Sequence, residues 1–290
     1  MEIIRTIPWM KEVSRAALLE DRILGLVPTM GALHEGHFSL VREAKQKCSP
    51  VAVSIFVNPK QFGPHEDLKK YPRSFDADCD ALTALGVDFI FAPSAEEMYP
   101  AGFSTTVSVR GLSDRLEGRS RPGHFDGVTT VVLKLFEIVQ PRIAFFGRKD
   151  AQQARIIRQM ATDLNLDTEI DLRPIVREPD GLALSSRNVY LTPEDRRAAL
   201  ALSQALATCK KRIEAGDYNV ASILAAMLEK LTSQPRVVVD YVEIVDAATF
   251  EPVMALRNDC YALIAAKVGA TRLIDNAYIA REAETFRVDV

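Results

Sequence analysis

The chain has 290 residues, enough to bury a large core and, as a prior, to form two domains. It is 48% apolar and 26% charged, with a formal net charge of −3 and no basic tract. This argues against nonspecific nucleic-acid binding and leaves room for a local phosphate pocket. No apolar run reaches about 18 residues, so no membrane span is expected. Residues 1–5 lack a signal-peptide layout, and Cys48, Cys79, Cys209 and Cys260 form no C-x-x-C. The expectation is a cytoplasmic protein with reduced, mostly buried thiols.

Residues 9–20 read as a short amphipathic helix and 22–27 as the first strand. The apolar run Ile23-Leu24-Gly25-Leu26-Val27 leads into Pro28-Thr29-Met30-Gly31-Ala32-Leu33-His34-Glu35-Gly36-His37, and an amphipathic stretch continues to about Lys47. That is a strand, a glycine-bearing turn and a helix start, where unpaired backbone N–H groups can hold an anion. His34 and His37 share one side of the forming helix. Each can donate to a phosphate oxygen and can carry positive charge near neutral pH. Gly31 and Gly36 let backbone and ligand come close. H-x-x-H by itself also fits solvated surface groups or part of a metal site.

Val51–Val57 is almost continuously apolar, as in a parallel strand covered on both faces. Asn58-Pro59-Lys60-Gln61 follows at its carboxyl end, the edge where open α/β sheets bind ligands. Gln61 fits either a turn or a two-way hydrogen-bonder for a polar substrate. A helix is expected from Ser74 to Leu85 and a short strand over Val87–Phe91. Thr105–Arg110 alternates polar and apolar and reads as an edge or interface strand. Gly118–Asp126 fits a solvated loop or a lid whose arginines meet phosphates.

A helix over Gly127–Val139 and a buried strand over Ile143–Phe146 precede Gly147-Arg148-Lys149-Asp150, which opens another helix to about Leu164. Asp150 and Gln153 have capping-box spacing, which can account for both without a ligand. Lys149 conflicts with the positive end of the helix dipole, and a bound anion would remove that conflict. Strand–helix alternation argues for a doubly wound α/β domain. Pro179-Asp180-Gly181 marks a turn, near which the domain boundary is placed, with residues 1–175 on one side and 176–290 on the other. Ser185-Ser186-Arg187 reads as an exposed loop or as phosphate donors. Thr192-Pro193-Glu194-Asp195 is an N-cap, a proline at N1 and an acidic first turn. Helices to about Ala215 and over Val220–Leu231, then strands over Val237–Val245, Tyr261–Lys267 and Arg272–Ile279, predict a smaller α+β domain with an antiparallel sheet. Residues 281–290 read as a weakly ordered tail.

The strings PTMGALHEGH (28–37), FVNPKQF (56–62), RPGHFDGV (121–128), FFGRKDAQQ (145–153) and LALSSRN (182–188) together resemble the pantothenate synthetase (pantoate–β-alanine ligase) family. That family lies within the superfamily of HIGH-type nucleotidylyltransferases and class I aminoacyl-tRNA synthetases. The resemblance implies ATP-dependent joining of (R)-pantoate and β-alanine through a pantoyl-adenylate, with release of AMP and pyrophosphate. It implies an ATP site at Pro28, Thr29, Met30, Gly31, Ala32, Leu33, His34, Glu35, Gly36 and His37, and at Gly147, Arg148, Lys149, Asp150, Val176, Leu184, Ser185, Ser186 and Arg187. Many relatives have Met where Leu184 stands, a volume-conserving change. Gln61 and Gln153 would hold pantoate, with Gln61 also near β-alanine. His37 would donate a proton, and His34 and Lys149 would stabilise phosphate charge. Tyr71 and Arg121 are weaker carry-overs. Ser185-Ser186-Arg187 resembles the KMSKS-type loop of the superfamily, in a second domain that acts as a lid. A Rossmann-like first domain and a homodimer joined through it, with residues 104–110 at the interface, complete the expectation.

No Walker A loop, nucleophile elbow or metal-ligand cluster stands in the sequence. Phosphate-facing donors without a nucleophile suggest that a carboxylate attacks the α-phosphorus of ATP, catalysed by positioning and charge stabilisation, with Mg²⁺ accompanying the phosphates. Two rival readings remain at this point. One is a nucleotidyltransferase that activates another small carboxylate, and the other is a nucleotide-binding protein without catalysis.

Overall fold

The computed structural model describes residues 1–64 and 66–290. Two compact units divide the chain, Met1–Arg148 with Gln152–Pro174, and Lys149–Ala151 with Ile175–Val290. The first contains β1 (Glu2–Ile4), α1 (Ile7–Leu19), β2 (Gly25–Thr29), α2 (Glu35–Lys47) and β3 (Val51–Ile55). Next come α3 (Phe75–Ala84), β4 (Phe89–Phe91), the single turns α4 (Ala95–Met98) and α5 (Glu117–Ser120), and α6 (His124–Val139). β5 (Ile143–Gly147), α7 (Ala151–Asp163) and β6 (Glu169–Arg173) follow.

Among the described residues the strands of this unit form one sheet in the order β1-β4-β3-β2-β5-β6, and every neighbouring pair is parallel. Successive residues of each strand face opposite layers. Leu26, Ala52, Phe91, Ala144 and Phe146 pack with α1, α6 and α7, whereas Val27, Val51, Val53, Ile90 and Phe145 pack with α2 and α3. Both faces are buried, and this is why these strands read as apolar runs rather than alternations. From β2 the chain winds outward through β3 and β4, then returns to β5 on the other side of β2. The switch in winding between β2 and β5 falls where the chain leaves their carboxyl ends, at residues 28–34 and Gly147, the place where open α/β sheets bind ligands. This is the doubly wound parallel sheet expected from the sequence.

The second unit carries α8 (Pro193–Glu214), α9 (Val220–Thr232), β7 (Val237–Asp246), β8 (Cys260–Val268), β9 (Thr271–Glu282) and β10 (Thr285–Asp289). Its strands make an antiparallel sheet ordered β10-β9-β8-β7. α8 places Ala198, Leu202, Ala205, Leu206 and Cys209 at helical spacing on that sheet, and α9 adds Ile223, Met227 and Leu231. Thr192 caps α8 as expected, with its Oγ1 accepting from the Asp195 N–H at 3.1 Å. All four cysteines are free and buried, and burial pushes the Cys209 and Cys260 thiols up to about 12.

Two expectations need correction, and one strand was missed. Residues 103–109 form no strand. The Val107 N–H donates to Thr130 Oγ1 (3.0 Å) and its carbonyl accepts from Thr129 Oγ1 (2.6 Å), so α6 side chains take the groups a ladder would use. Residues 281–290 are not a loose tail, because β10 pairs with β9 and alternation of Phe286, Val288 and Val290 seals the core edge. Finally, β1 was not expected. It is three residues long, too short to show a period, and its parallel pairing to β4 depends on residues 87 positions away, Glu2 opposite Phe89.

Candidate active site

The turn after β2 is held open by α3. Gly31 (φ 81°) and Ala32 (φ 52°) both take left-handed backbone, which suits glycine and strains alanine. The Asp78 carboxylate, 4% exposed, accepts from the Ala32 N–H at 2.9 Å, the Leu33 N–H at 3.0 Å and Ser74 Oγ at 3.0 Å. Thr29 Oγ1 donates to the Ser54 carbonyl at 2.7 Å and accepts from the Gly31 N–H at 3.2 Å. The turn is therefore fixed from both sides before α2 begins.

His34 is the N-cap of α2, and His37 is its third residue. The two imidazoles both cap the N-terminus of α2. His34 Nδ1 accepts from the Gly36 N–H at 3.2 Å, and His37 Nδ1 accepts from the His34 N–H at 3.3 Å. A backbone N–H can only donate, so each neutral ring carries its proton on Nε2. The rings lie 4.1 Å apart between centroids. This is a capping box built from histidines, and it aims two Nε2–H donors from the positive end of a helix.

Gln61 stands on a single helical turn, Pro59–Gln61, just past β3. Its Oε1 accepts from Asn58 Nδ2 at 3.0 Å and its Nε2 lies 3.1 Å from Met30 Sδ. The Gln61 carbonyl accepts from His124 Nδ1 at 2.8 Å, and His124 Nε2 takes an N–H of Arg121 at 3.1 Å. Burial, with Arg121 beside it, lowers His124 to about 4, so the ring is neutral and holds this arrangement at ordinary pH. Arg121 forks onto Glu66 at 2.8 and 2.6 Å. Burial opposes charge on Glu66, but the Arg121 fork outweighs it and keeps the carboxyl below its usual range. Of the expected solvated loop or lid at 118–126, Arg119, Ser120, Pro122 and Gly123 are exposed, a single helical turn ends at Ser120, and Arg121 is engaged by a carboxylate. Tyr71 is buried, edge-on to Phe62 at 6.0 Å. Gln153 is the third residue of α7.

The second unit carries the other candidates. Lys149 and Asp150 lie on a single turn, Arg148–Asp150, ahead of α7, with their charged atoms 3.8 Å apart. Asn276 Nδ2 donates to the Lys149 carbonyl at 2.8 Å and so anchors its backbone. Val176 and Leu184 are joined, the Leu184 N–H donating to the Val176 carbonyl at 3.0 Å. They are the arms of a hairpin whose turn contains Pro179-Asp180-Gly181, with Gly181 at φ 95°. Ser185 Oγ accepts from the Arg187 N–H at 3.3 Å and starts the turn Ser186–Tyr190.

The family model described as Pantoate-beta-alanine ligase matches residues 2–278. The chain belongs to the pantoate–β-alanine ligase family. A pantothenate synthetase of Thermotoga neapolitana is 54% identical over 279 residues, covering 96% of this chain and all of that protein (100%). One from Heliobacterium modesticaldum is 51% identical, covering 96% and 99%. The crystal structure of the Thermus thermophilus pantothenate synthetase superposes with a TM-score of 0.91 at 45% identity, covering 95% of this chain and 98% of that one. A Francisella tularensis pantoate–β-alanine ligase, crystallised with β,γ-ATP and β-alanine, gives 0.79 at 35% identity, covering 95% and 97%.

For a chain of this ligase family, the structure brings His34 and His37 together, Gln61 to Met30, and Val176 to Leu184. Asp78, and Tyr99, whose hydroxyl donates to Asn58 Oδ1 at 2.8 Å, were not singled out from the sequence, because their roles depend on partners from other elements. Gly127 is a further such position. A Cβ there would lie 2.3 Å from the Lys60 carbonyl oxygen and 2.6 Å from Gln61 Cα, both main chain. Glycine is what lets α6 seat the Gln61 turn. Gly127→Ala is expected to lower kcat/KM by about tenfold or more through displacement of Gln61, with a melting point several degrees lower. Steady-state kinetics and a thermal melt check both.

Proposed function

We propose that this chain condenses (R)-pantoate with β-alanine at the expense of ATP, giving pantothenate, AMP and pyrophosphate through a pantoyl-adenylate. The observation that carries the reading is the histidine pair at the start of α2, beside the sheet's switch point, in a chain of the pantoate–β-alanine ligase family. The pantoate carboxylate attacks the α-phosphorus, the bond to the β-phosphate oxygen breaks, and pyrophosphate leaves. The β-alanine amine then attacks the acyl carbon and AMP leaves.

In this reading Pro28 to His37, Gly147 to Asp150, Val176 and Leu184 to Arg187 bind ATP. Nε2–H of His37 donates to the departing phosphate, and His34 and Lys149 stabilise its charge. Gln61 and Gln153 hold pantoate. Among the described residues no group of three His, Cys, Asp or Glu could cage a metal. Mg²⁺ is taken to arrive on the ATP phosphates as part of the substrate, since Mg²⁺ keeps most of its waters and needs few protein ligands. No helix of the described residues is long and apolar enough to cross a membrane. The reading places the enzyme in the cytoplasm as a homodimer joined through its first domain, with residues 104–110 supplying part of that interface and residues 176–290 acting as a lid.

Pyrophosphate release from MgATP and pantoate, with and without β-alanine, tests the function. Steady release only with both substrates, and pantothenate and AMP formed one for one, is the expected result. ATP binding with no release under either condition would overturn it.

A further inference from the structure

Asn58 is 1% exposed, and its whole amide is engaged. Nδ2 donates to the Gly127 carbonyl at 3.0 Å and to Gln61 Oε1 at 3.0 Å. Oδ1 accepts from the Lys60 N–H at 3.2 Å and from the Tyr99 hydroxyl at 2.8 Å. A carbonyl can only accept and a backbone N–H can only donate, so the two main-chain partners fix which end of the amide is which. Asn58 then presents an N–H to Gln61, and Gln61 must answer with its oxygen. Its Nε2 is left on the Met30 side, donating to a thioether, a weak acceptor that a hydroxyl or carboxylate oxygen outcompetes. The sequence allowed Gln61 to donate and accept. Here its oxygen is used within the protein.

We propose that Tyr99 is a positioning residue that, through Asn58, whose polarity the main chain sets, holds the Gln61 amide in place as a donor, so that this subsite selects a substrate carrying an acceptor oxygen. The proposal rests on the reading of Gln61 as a pantoate ligand. Tyr99 suits the task. Burial pushes its hydroxyl well above the ordinary phenol range, so it remains a donor. Its ring is held independently of the hydroxyl, 5.0 Å from Phe103 and 6.1 Å from Phe56, with Lys60 Nζ 5.2 Å above it. Tyr99→Phe therefore keeps the packing and cuts the link.

The test is a double-mutant cycle on the full chain, with pantoate varied at saturating MgATP and β-alanine. Tyr99→Phe should raise the pantoate KM about fivefold, the effect of one net hydrogen bond, with kcat within about twofold of the parent. In a Gln61→Ala background the same substitution should change nothing further. Gln61→Glu, which can only accept, should bind pantoate worse than Gln61→Ala. A parent-like KM in Tyr99→Phe, or an equal rise in both backgrounds, overturns the relay. A Gln61→Glu variant as good as Gln61→Ala overturns the donor polarity. Should Tyr99→Phe not fold, Asn58→Ser cuts the same link and is read by the same cycle. If Gln61→Ala leaves the pantoate KM unchanged while pantothenate still forms, the Gln61 assignment falls and the function stands.

Discussion

Replacing His37 by alanine is expected to slow pantoyl-adenylate formation on the order of a hundredfold, as the loss of one preorganised donor to developing phosphate charge does elsewhere. His37 also accepts from the His34 N–H, so alanine removes a cap as well as a donor. His37→Gln separates the two. Glutamine at the third helical position can reach back to the N-cap N–H and restore the box, but it does not put a donor where Nε2 stood. Its melting point should stay near that of the parent while its single-turnover rate stays low. Lys149→Ala should show a loss of similar size. Asn276 grips the Lys149 carbonyl, so the substitution takes away the ammonium and leaves the anchor in place. Rapid-quench measurement of adenylate from MgATP and pantoate reads all three. Near-parent rates in both alanine variants would sink the charge-stabilising roles given to His37 and Lys149.

The sequence made the first unit's architecture legible because its strands are buried on both faces and its helices are amphipathic. Both signals survive without knowledge of partners. The histidine turn was legible for the same reason, since its spacing is local. What lay beyond reading was mostly non-local. Asp78 is one of several acidic residues on α3, and nothing in its neighbourhood says that it holds residues 32 and 33, 46 and 45 positions earlier. The tautomers of His34 and His37 depend on how each ring folds back on the backbone. The tail misled for another reason. Phe286, Val288 and Val290 do alternate, but charged neighbours at 281, 282, 284, 287 and 289 masked a short edge strand. Residues 104–110 misled in the opposite direction, because alternation there had a partner only in the side chains of Thr129 and Thr130.

Asp78→Ala is expected to cost about a hundredfold in kcat/KM, although Asp78 makes contact with no reacting group in the proposed site. Two half-buried N–H groups, of Ala32 and Leu33, lose their acceptor, at about 1–3 kcal/mol each at most if nothing replaces it. The same carboxylate sustains the left-handed backbone of Ala32, which by itself costs roughly 1–2 kcal/mol. Without the clamp the turn has reason to relax toward ordinary backbone, and it cannot do so without dragging the N-cap of α2 with it. A shift of about 1 Å in His34 and His37 is enough for the expected loss. Asp78→Asn keeps one acceptor oxygen but sets an NH₂ against the other N–H, so its defect should be intermediate. Melting points should fall by several degrees in the order parent, asparagine, alanine. Activity measured well below each melting point separates misplacement from unfolding. A folded Asp78→Ala enzyme with parent kcat/KM would show that the geometry of the histidine turn does not depend on α3.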